Sequence, residues 1–328
     1  MILLKNGTIH TMESAPFVGD VLVKDGKISL ENFIAQLSDE DLNALSLGEG
    51  AMDSPQGPKG NAGAFAGYTD SLKQKGVPPV ITTDGPSGIR LACYASLYPC
   101  GTALASTWNL PLMEELATLI GREMVMKGTH VLLGPGMNIH RDPLCGRNFE
   151  YYSEDPLISG KMGAAMVRGI QSQGRSACPK HFACNNQETL RTTHDSRVSE
   201  RALREIYLKG FEICVKEAAP KALMTSYNLL NGTHTANRGD LINTVLRREW
   251  GFEGIVMTDW GTTNDKFNLG VYGASSPALC VKAGNDLMMS GTKEDVDGIL
   301  AGLKDGTITR AELEGCAGRI LALSRELS

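Results

Sequence analysis

The stretch ALMTSYNLLNGTHTANRGDLINTVLRREWGFEGIVMTDWG, residues 222–261, decides the fold. It opens on a short apolar run at 222–226, crosses a turn-rich link, enters an amphipathic segment at 240–250 and returns to a second apolar run at 254–258. Two brief apolar runs flanking a segment with helical spacing are the pattern of parallel strands joined by a helical crossover. Asp240 is a residue type that caps helix N-termini, so the crossover helix is expected to start there. Asp259 ends the second run with Trp260 beside it, which puts a carboxylate and an indole at the C-terminal end of a strand.

The same alternation extends outward from residue 75. Strand-like runs stand at 79–82, 102–106, 130–133, 177–181 and 285–288, with one more near 45–47. Helical spacing marks 110–127, 156–173 and 199–215, the last with Ser199 as its cap, and 293–327 reads as two further helices. The expectation is an α/β protein, and seven strand-like runs with an eighth possible suit a (β/α)8 TIM-like barrel. Asp84, Arg147, Lys180 with His181, Tyr227 and Asp259 all fall at the C-terminal ends of strand candidates, the face on which barrels build their sites. Residues 53–67, rich in Gly, Pro, Asn and Ala, show no period and read as a loop.

Residues 1–28, MILLKNGTIHTMESAPFVGDVLVKDGKI, differ from the rest. Apolar and polar residues alternate around two turn signals, Asn6-Gly7 and Asp25-Gly26, so a short antiparallel β leader is expected over residues 1–30.

Bulk properties narrow the function. The chain has 328 residues, 42% of them hydrophobic, and a net charge of −5. That balance gives no electrostatic reason to expect nucleic acid or an anionic membrane as partner, and a small neutral substrate is the easier match. No apolar run is long enough to span a bilayer and no secretory signal opens the chain, so a cytoplasmic location is expected. The eight cysteines are dispersed and form no CxxC pair, as reduced, partly buried thiols would be.

Several residues have chemical potential. An Asp at a strand end can cap the next helix or attack a substrate, and Asp259 alone leaves both readings open. Lys180 and His181 close another apolar run, and both can donate to hydroxyl oxygens. Asp84 and Arg90 in TDGPSGIR, with Arg147 and Glu150 in GRNFEYYSEDP, add ionisable groups on other loops.

Five segments occur in order: TDGPSGIR, GPGMNIHRDPLCGRNFEYYSEDP, KHFACNNQE, LMTSYNLLNG and LRREWGFEGIVMTDWG. Together they resemble the barrel domain of the family 3 glycoside hydrolases, mostly β-glucosidases and related exo-acting enzymes. The resemblance covers roughly residues 31 to 328. It implies a retaining exo-acting β-glycosidase, a β-glucosidase first of all, that hydrolyses terminal nonreducing β-D-glucosyl residues. Asp259 is implied as the nucleophile of a covalent intermediate. Asp84, Arg147, Lys180 and His181 are implied as a clamp on the sugar hydroxyls, with Arg90 placing the clamp, Met224 lining the floor, Tyr227 near the nucleophile and Trp260 against the ring.

The family's acid/base is commonly a Glu from a second, α/β sandwich domain, which this sequence does not contain. A subgroup of single-domain members uses His and Asp on a loop after the Lys-His strand. The corresponding stretch here, ACNNQETLRTTHDSR, offers His194 and Asp195 without that subgroup's Gly-His-Gly pattern. The expectation is that His194 takes the role or that the chain is a sugar-binding barrel lacking the acid/base. The expected partners are a small carbohydrate and either a second copy or a second-domain partner.

The leader resembles the opening strands of metal-dependent amidohydrolases, which implies a foreign origin for residues 1–30. That chemistry needs a His-x-His pair, and the six histidines provide none. KDGTITRAELE, residues 304–314, resembles the second half of a calcium loop, but its first ligand positions fall on Ala301 and Leu303. A turn between helices is expected there, and neither a metal nor an organic cofactor.

Overall fold

The computed structural model describes residues 2–9, 17–24, 27–264 and 272–328. The leader forms the expected antiparallel sheet, in which β1 (Ile2–Ile9) pairs with β2 (Phe17–Lys24) and β2 with β3 (Lys27–Ile28). Asn6-Gly7 does not turn the chain: the register shifts between Leu4 and Gly7, so the pair sits at an irregularity inside β1. Asp25-Gly26 lies outside the described residues.

The α/β part is parallel in its main ladders. β4 (Gly63–Ala66) runs antiparallel to β5 (Pro79–Thr83), which pairs in parallel with β6 (Val131–Leu132), and β6 with β7 (Ser176–Ala177). β8 (Asp195–Ser196) belongs to a small rim sheet. β9 (Ala222–Met224) pairs in parallel with β12 (Ile255–Met257), while β10 (Leu229–Leu230) joins β8 and β11 (Thr233–His234). These ladders are separate short sheets, so the expected single closed sheet is replaced by several pieces. Parallel bridges continue between them at Gly136–Lys180, Phe182–Thr225, Met257–Leu287 and Leu47–Met288, and an antiparallel one at Glu49–Ala64.

One strand assignment and one loop assignment change. Residues 102–105 are helical, in α4 below, with Ser106 as the cap, because the Thr102 hydroxyl and backbone are spent on the loop that carries Arg147: Oγ1 donates to the Asn148 carbonyl at 2.7 Å. The loop expected at 53–67 contains β4, whose GAFA sequence is fully buried and has no polar alternation to reveal a strand.

Helices surround the strands. α1 (Leu30–Ile34), α2 (Asp39–Leu45), α3 (Asp70–Gln74) and α4 (Gly101–Ala105) are short; α5 (Leu110–Lys127) and α6 (Pro156–Gln171) are long. Asn109 caps α5 and Gly128 ends it at φ 71°, the left-handed conformation that glycine adopts without penalty. Gly169 lets α6 lie close to α5, since a Cβ there would stand 2.4 Å from the Glu114 carbonyl oxygen. Ser199 caps α7 (Glu200–Ala202) as expected, followed by a π-helical turn, Leu203–Tyr207, and α8 (Lys209–Ala218). Asp240 is not a cap: Gly239 takes that position, and the Asp240 carboxylate instead pairs with Arg238 as the π-helix Asp240–Glu249 begins.

α9 (Pro277–Ala283), α10 (Lys293–Asp305) and α11 (Arg310–Leu327) close the chain. The calcium-loop look-alike is the turn between α10 and α11. Gly306 ends α10 at φ 80°, and Glu312 serves a capping box with Thr309. The core falls into two clusters. One joins Phe65, Met224, Met257 and Leu287 to α2 and α9–α11, and the other joins Leu132, Phe182 and Val256 to α5, α6 and α8.

Candidate active site

Asp259 stands two residues beyond β12, where the apolar strand gives way to a turn. Its Oδ1 accepts the Trp260 N–H at 2.8 Å, and its Oδ2 lies 3.6 Å from His181 Nε2. Only 8% of the residue is exposed. Burial lifts the carboxyl above its ordinary range, against the pull of Arg147, Lys180, the Trp260 N–H and Arg191. The chain therefore holds a desolvated carboxylate opposite several cations.

His181 is oriented by a relay. Asn185 Nδ2 donates to the Tyr151 hydroxyl at 3.0 Å, and that hydroxyl lies 3.2 Å from His181 Nδ1. In the tautomer where Nδ1 accepts from Tyr151, the ring proton is on Nε2, the nitrogen nearest Asp259. Burial, reinforced by Arg147, Lys180 and Arg191, drives the imidazole well below its ordinary value, so it is neutral at pH 7. The His181 backbone is fixed on both sides by the Asn138 amide, at 2.8 and 3.0 Å.

Lys180 is 4% exposed, and its Nζ lies 3.3 Å from Asp84 Oδ1 and 3.8 Å from Glu150 Oε2. Asp84 follows β5 in a turn that requires glycine, because a Cβ on Gly85 would sit 1.8 Å from the Gly88 carbonyl oxygen. Burial pushes the Asp84 carboxyl up, but Lys180, Arg90 and the Gly85 N–H outweigh it and hold the group below the ordinary range. Arg90 closes that turn with its N–H on the Asp84 carbonyl and keeps its guanidinium half-exposed, 3.7 Å from Asp84 Oδ2. Arg147 pairs through Nε with Glu150 Oε1.

Met224 ends β9 and is buried beside Met257. Tyr227 donates its hydroxyl to the Trp260 carbonyl at 2.7 Å, and the Asp259 charge helps burial raise its phenol. Trp260 is 9% exposed, and its Nε1 is tied to the Ala62 carbonyl at 3.0 Å, so much of the indole belongs to the core.

The structure also gathers residues that the motifs left unassigned. Glu188 receives Arg191 at 3.0 Å, Asn185 at 2.9 Å and Arg147 at 3.9 Å, and the Arg191 guanidinium lies 4.8 Å over the Tyr227 ring. Their spacing of three in the ETLR stretch after the Lys-His strand was the available signal.

His194 is placed differently. Its Nδ1 faces the Leu190 carbonyl and its Nε2 the Ser196 hydroxyl, both at 3.3 Å. It lines a polar cavity of about 510 Å³ with Arg141, Gln187 and Arg197, a lining that includes neither Asp259 nor any clamp residue. Asp195 is committed to Arg197 at 2.6 Å and to the Gly232 N–H at 2.9 Å. The structure does not bring His194 into the cluster around Asp259.

The Glycosyl hydrolase family 3 N terminal domain pattern matches residues 34–323. The chain belongs to that family. As a family 3 domain it is 47% identical over 326 residues to a β-glucosidase of Ruminococcus albus, an alignment taking in 96% of this chain and 33% of that protein. Among solved structures, a β-glucosidase from Paenibacillus barengoltzii superposes with a TM-score of 0.86 at 48% identity, over 92% of this chain and 33% of that one. β-Glucosidase 3B from Thermotoga neapolitana, in complex with glucose, gives 0.82 at 41% identity, over 91% and 43%. This family 3 chain spans about a third of the length of the curated relatives it matches. Nothing in these likenesses supports an amidohydrolase-like leader, and the R. albus alignment takes in too much of the chain for all of residues 1–30 to lie outside it. Among the described residues, no helix is long and apolar enough to cross a membrane.

Proposed function

We propose that this family 3 domain carries the nucleophile and sugar clamp of a retaining exo-acting β-glycosidase, with β-glucosidase activity on terminal nonreducing β-D-glucosyl residues. The observation that carries this reading is the Asp259 carboxylate buried at a strand end, 3.6 Å from His181 Nε2, amid charged groups from four different strand-end loops. The bridges that link the short ladders support a closed (β/α)8 arrangement over residues 31–328, with residues 1–30 as a separate leader. The β-glucosidase relatives and the glucose complex of the T. neapolitana enzyme support the choice of sugar.

In this mechanism Asp259 Oδ2 attacks the anomeric carbon as the glycosidic bond breaks, the leaving oxygen takes a proton, and water then hydrolyses the glycosyl ester. Lys180 and His181 Nε2 donate to hydroxyl oxygens, the Asp84 carboxylate accepts from hydroxyls, and Arg147 holds the ring beside them. Arg90 steadies the Asp84 turn, Met224 forms the floor, Tyr227 borders the nucleophile and Trp260 offers the exposed part of its indole to the ring. A neutral His181 keeps a donor near Asp259 without quenching its charge.

The acid/base is proposed to come from outside the residues described. Lys180 and Arg90 hold Asp84 below the ordinary carboxylate range, which leaves it no proton to give at neutral pH, and the oxygens of Glu150 and Glu188 are taken up by Arg147, Lys180 and Arg191 rather than turned free toward a leaving group. The same observation favours a second reading, a sugar-binding barrel nearly inactive on natural glycosides until a second-domain partner completes it.

Hydrolysis of p-nitrophenyl β-D-glucoside by the chain and by Asp259→Ala, with and without azide, separates the readings. Activity that needs Asp259 and rises with azide is the expected result, since azide replaces a base-dependent water step. Activity that ignores azide would place an acid/base within the chain. Activity that survives Asp259→Ala would remove the proposed nucleophile.

A further inference from the structure

α5 has two faces. Met113, Ala117, Ile120 and Met124 point inward to the core. At about 100° per residue, Leu112, Glu115, Leu119, Arg122 and Met126 lie on the opposite side, and all five are exposed. Their alternating spacing of three and four is that of a helix-to-helix seam, with apolar residues at every seventh position. Met126 is 80% exposed and Leu119 41%. Among the described residues, neither Glu115 nor Arg122 has an ion-pair or hydrogen-bond partner for its side chain.

The apolar surface continues past both ends of the helix. Trp108 precedes α5 and is 78% exposed, while Tyr94 and Leu97, 90% and 88% exposed, lie on a loop fastened to the far end. Lys127 Nζ donates to the Tyr94 carbonyl at 2.9 Å, and the Ser96 N–H to Glu123 Oε1 at 3.0 Å.

We propose that this face binds a second copy of the chain, with the two α5 helices antiparallel about a twofold axis at Leu119. Such an interface is isologous, so each contact occurs twice. Leu119 meets its own symmetry mate, Glu115 faces Arg122 of the partner subunit, and Leu112 faces Met126 of the partner subunit. Trp108 then reaches the helix end where Tyr94 and Leu97 of the partner subunit lie, placing aromatic anchors at both margins. A parallel arrangement would set Glu115 against its own copy and Arg122 against its own. Charge complementarity thus selects the antiparallel dimer.

Sedimentation equilibrium of the chain at about 1 to 50 µM, a range that spans micromolar association, tests this directly. The expected result is a dimer that Leu119→Glu converts to monomer, with circular dichroism unchanged and with a Tm that matches the starting chain at concentrations where both are monomeric, because the site is exposed in the monomer. Glu115→Arg and Arg122→Glu singly should each weaken dimerisation about tenfold or more, by placing like charges across the axis twice. The double exchange should return it to within about threefold of the starting chain, because the pairing is re-formed with its signs reversed. A monomer throughout the range, a dimer indifferent to Leu119→Glu, or a double variant as weak as the singles would overturn the proposal.

Discussion

The cluster around Asp259 and the cavity beside His194 draw on the same stretch of chain after β7, yet they are different environments. In the first, side chains from the loops after β5, β6, β7 and β12 converge, and Lys180, His181, Glu150 and Asp259 are nearly removed from solvent. In the second, His194, Asp195, Arg197 and Gln187 belong to one loop and its rim sheet, and their polar groups meet neighbours a few residues away, apart from the Gly232 N–H that Asp195 accepts across the rim sheet. Desolvated charges brought together from distant parts of the sequence are expensive, and active sites are where such arrangements are expected. A polar loop over a cavity needs no such explanation.

The comparison breaks first at Asp259. Asp259→Ala should lower kcat for p-nitrophenyl β-D-glucoside on the order of 10⁴-fold or more, as loss of a nucleophile does, while glucose binding by calorimetry persists. A smaller loss would make the buried cluster a structural ion network. Lys180→Met should come next: it strands Glu150 and Asp84 without their shared cation and should cost about 3 kcal/mol in urea unfolding, as breaking a buried pair does. Glucose binding should fall with it.

The sharper test uses pH. Asp259 is raised in the folded chain, so its protonated form supports the fold and that support is lost as pH rises through the folded value. Asp259→Asn, which removes the buried charge, should therefore raise Tm, and its advantage over the natural residue should widen from pH 4 to pH 7. Asp84 has the opposite sign: it is depressed, so its contribution is present above the ordinary carboxylate range and lost as pH falls through the folded value. Asp84→Asn should be more costly at pH 7 than at pH 3. Parallel pH dependence in both variants would contradict the assigned environments.

Much of this was legible in the sequence because the strands that carry the site are short, apolar and each closed by a polar residue. 79–82, 130–133 and 254–258 land on β5, β6 and β12, and 110–127 coincides with α5. β4 was hidden because Gly, Ala and Phe buried on both faces leave no alternation, and α4 was misread because a five-residue segment with Ala-Leu-Ala at its centre cannot distinguish a helical turn from a strand. Glu188 and Arg191 escaped for another reason. Their role depends on where Arg147 and Tyr227 come to rest, and no local pattern encodes a contact across more than 30 residues.

His194 gives the smallest expected effect and the cleanest contrast. If its imidazole protonated the leaving group, His194→Ala would slow a disaccharide far more than an activated aryl glucoside, by the 10²- to 10⁴-fold that a general acid contributes. Its contacts to Leu190 and Ser196 engage both ring nitrogens within the loop, and burial lowers its affinity for a proton, so less of it carries the proton that a general acid must give. The expected change in kcat/KM is therefore less than about threefold on either substrate, the scale of a substitution at the rim, away from the chemistry. A selective loss on the disaccharide would instead mean that the loop swings toward Asp259 when sugar binds, and the division between the two regions would then describe only the unliganded chain.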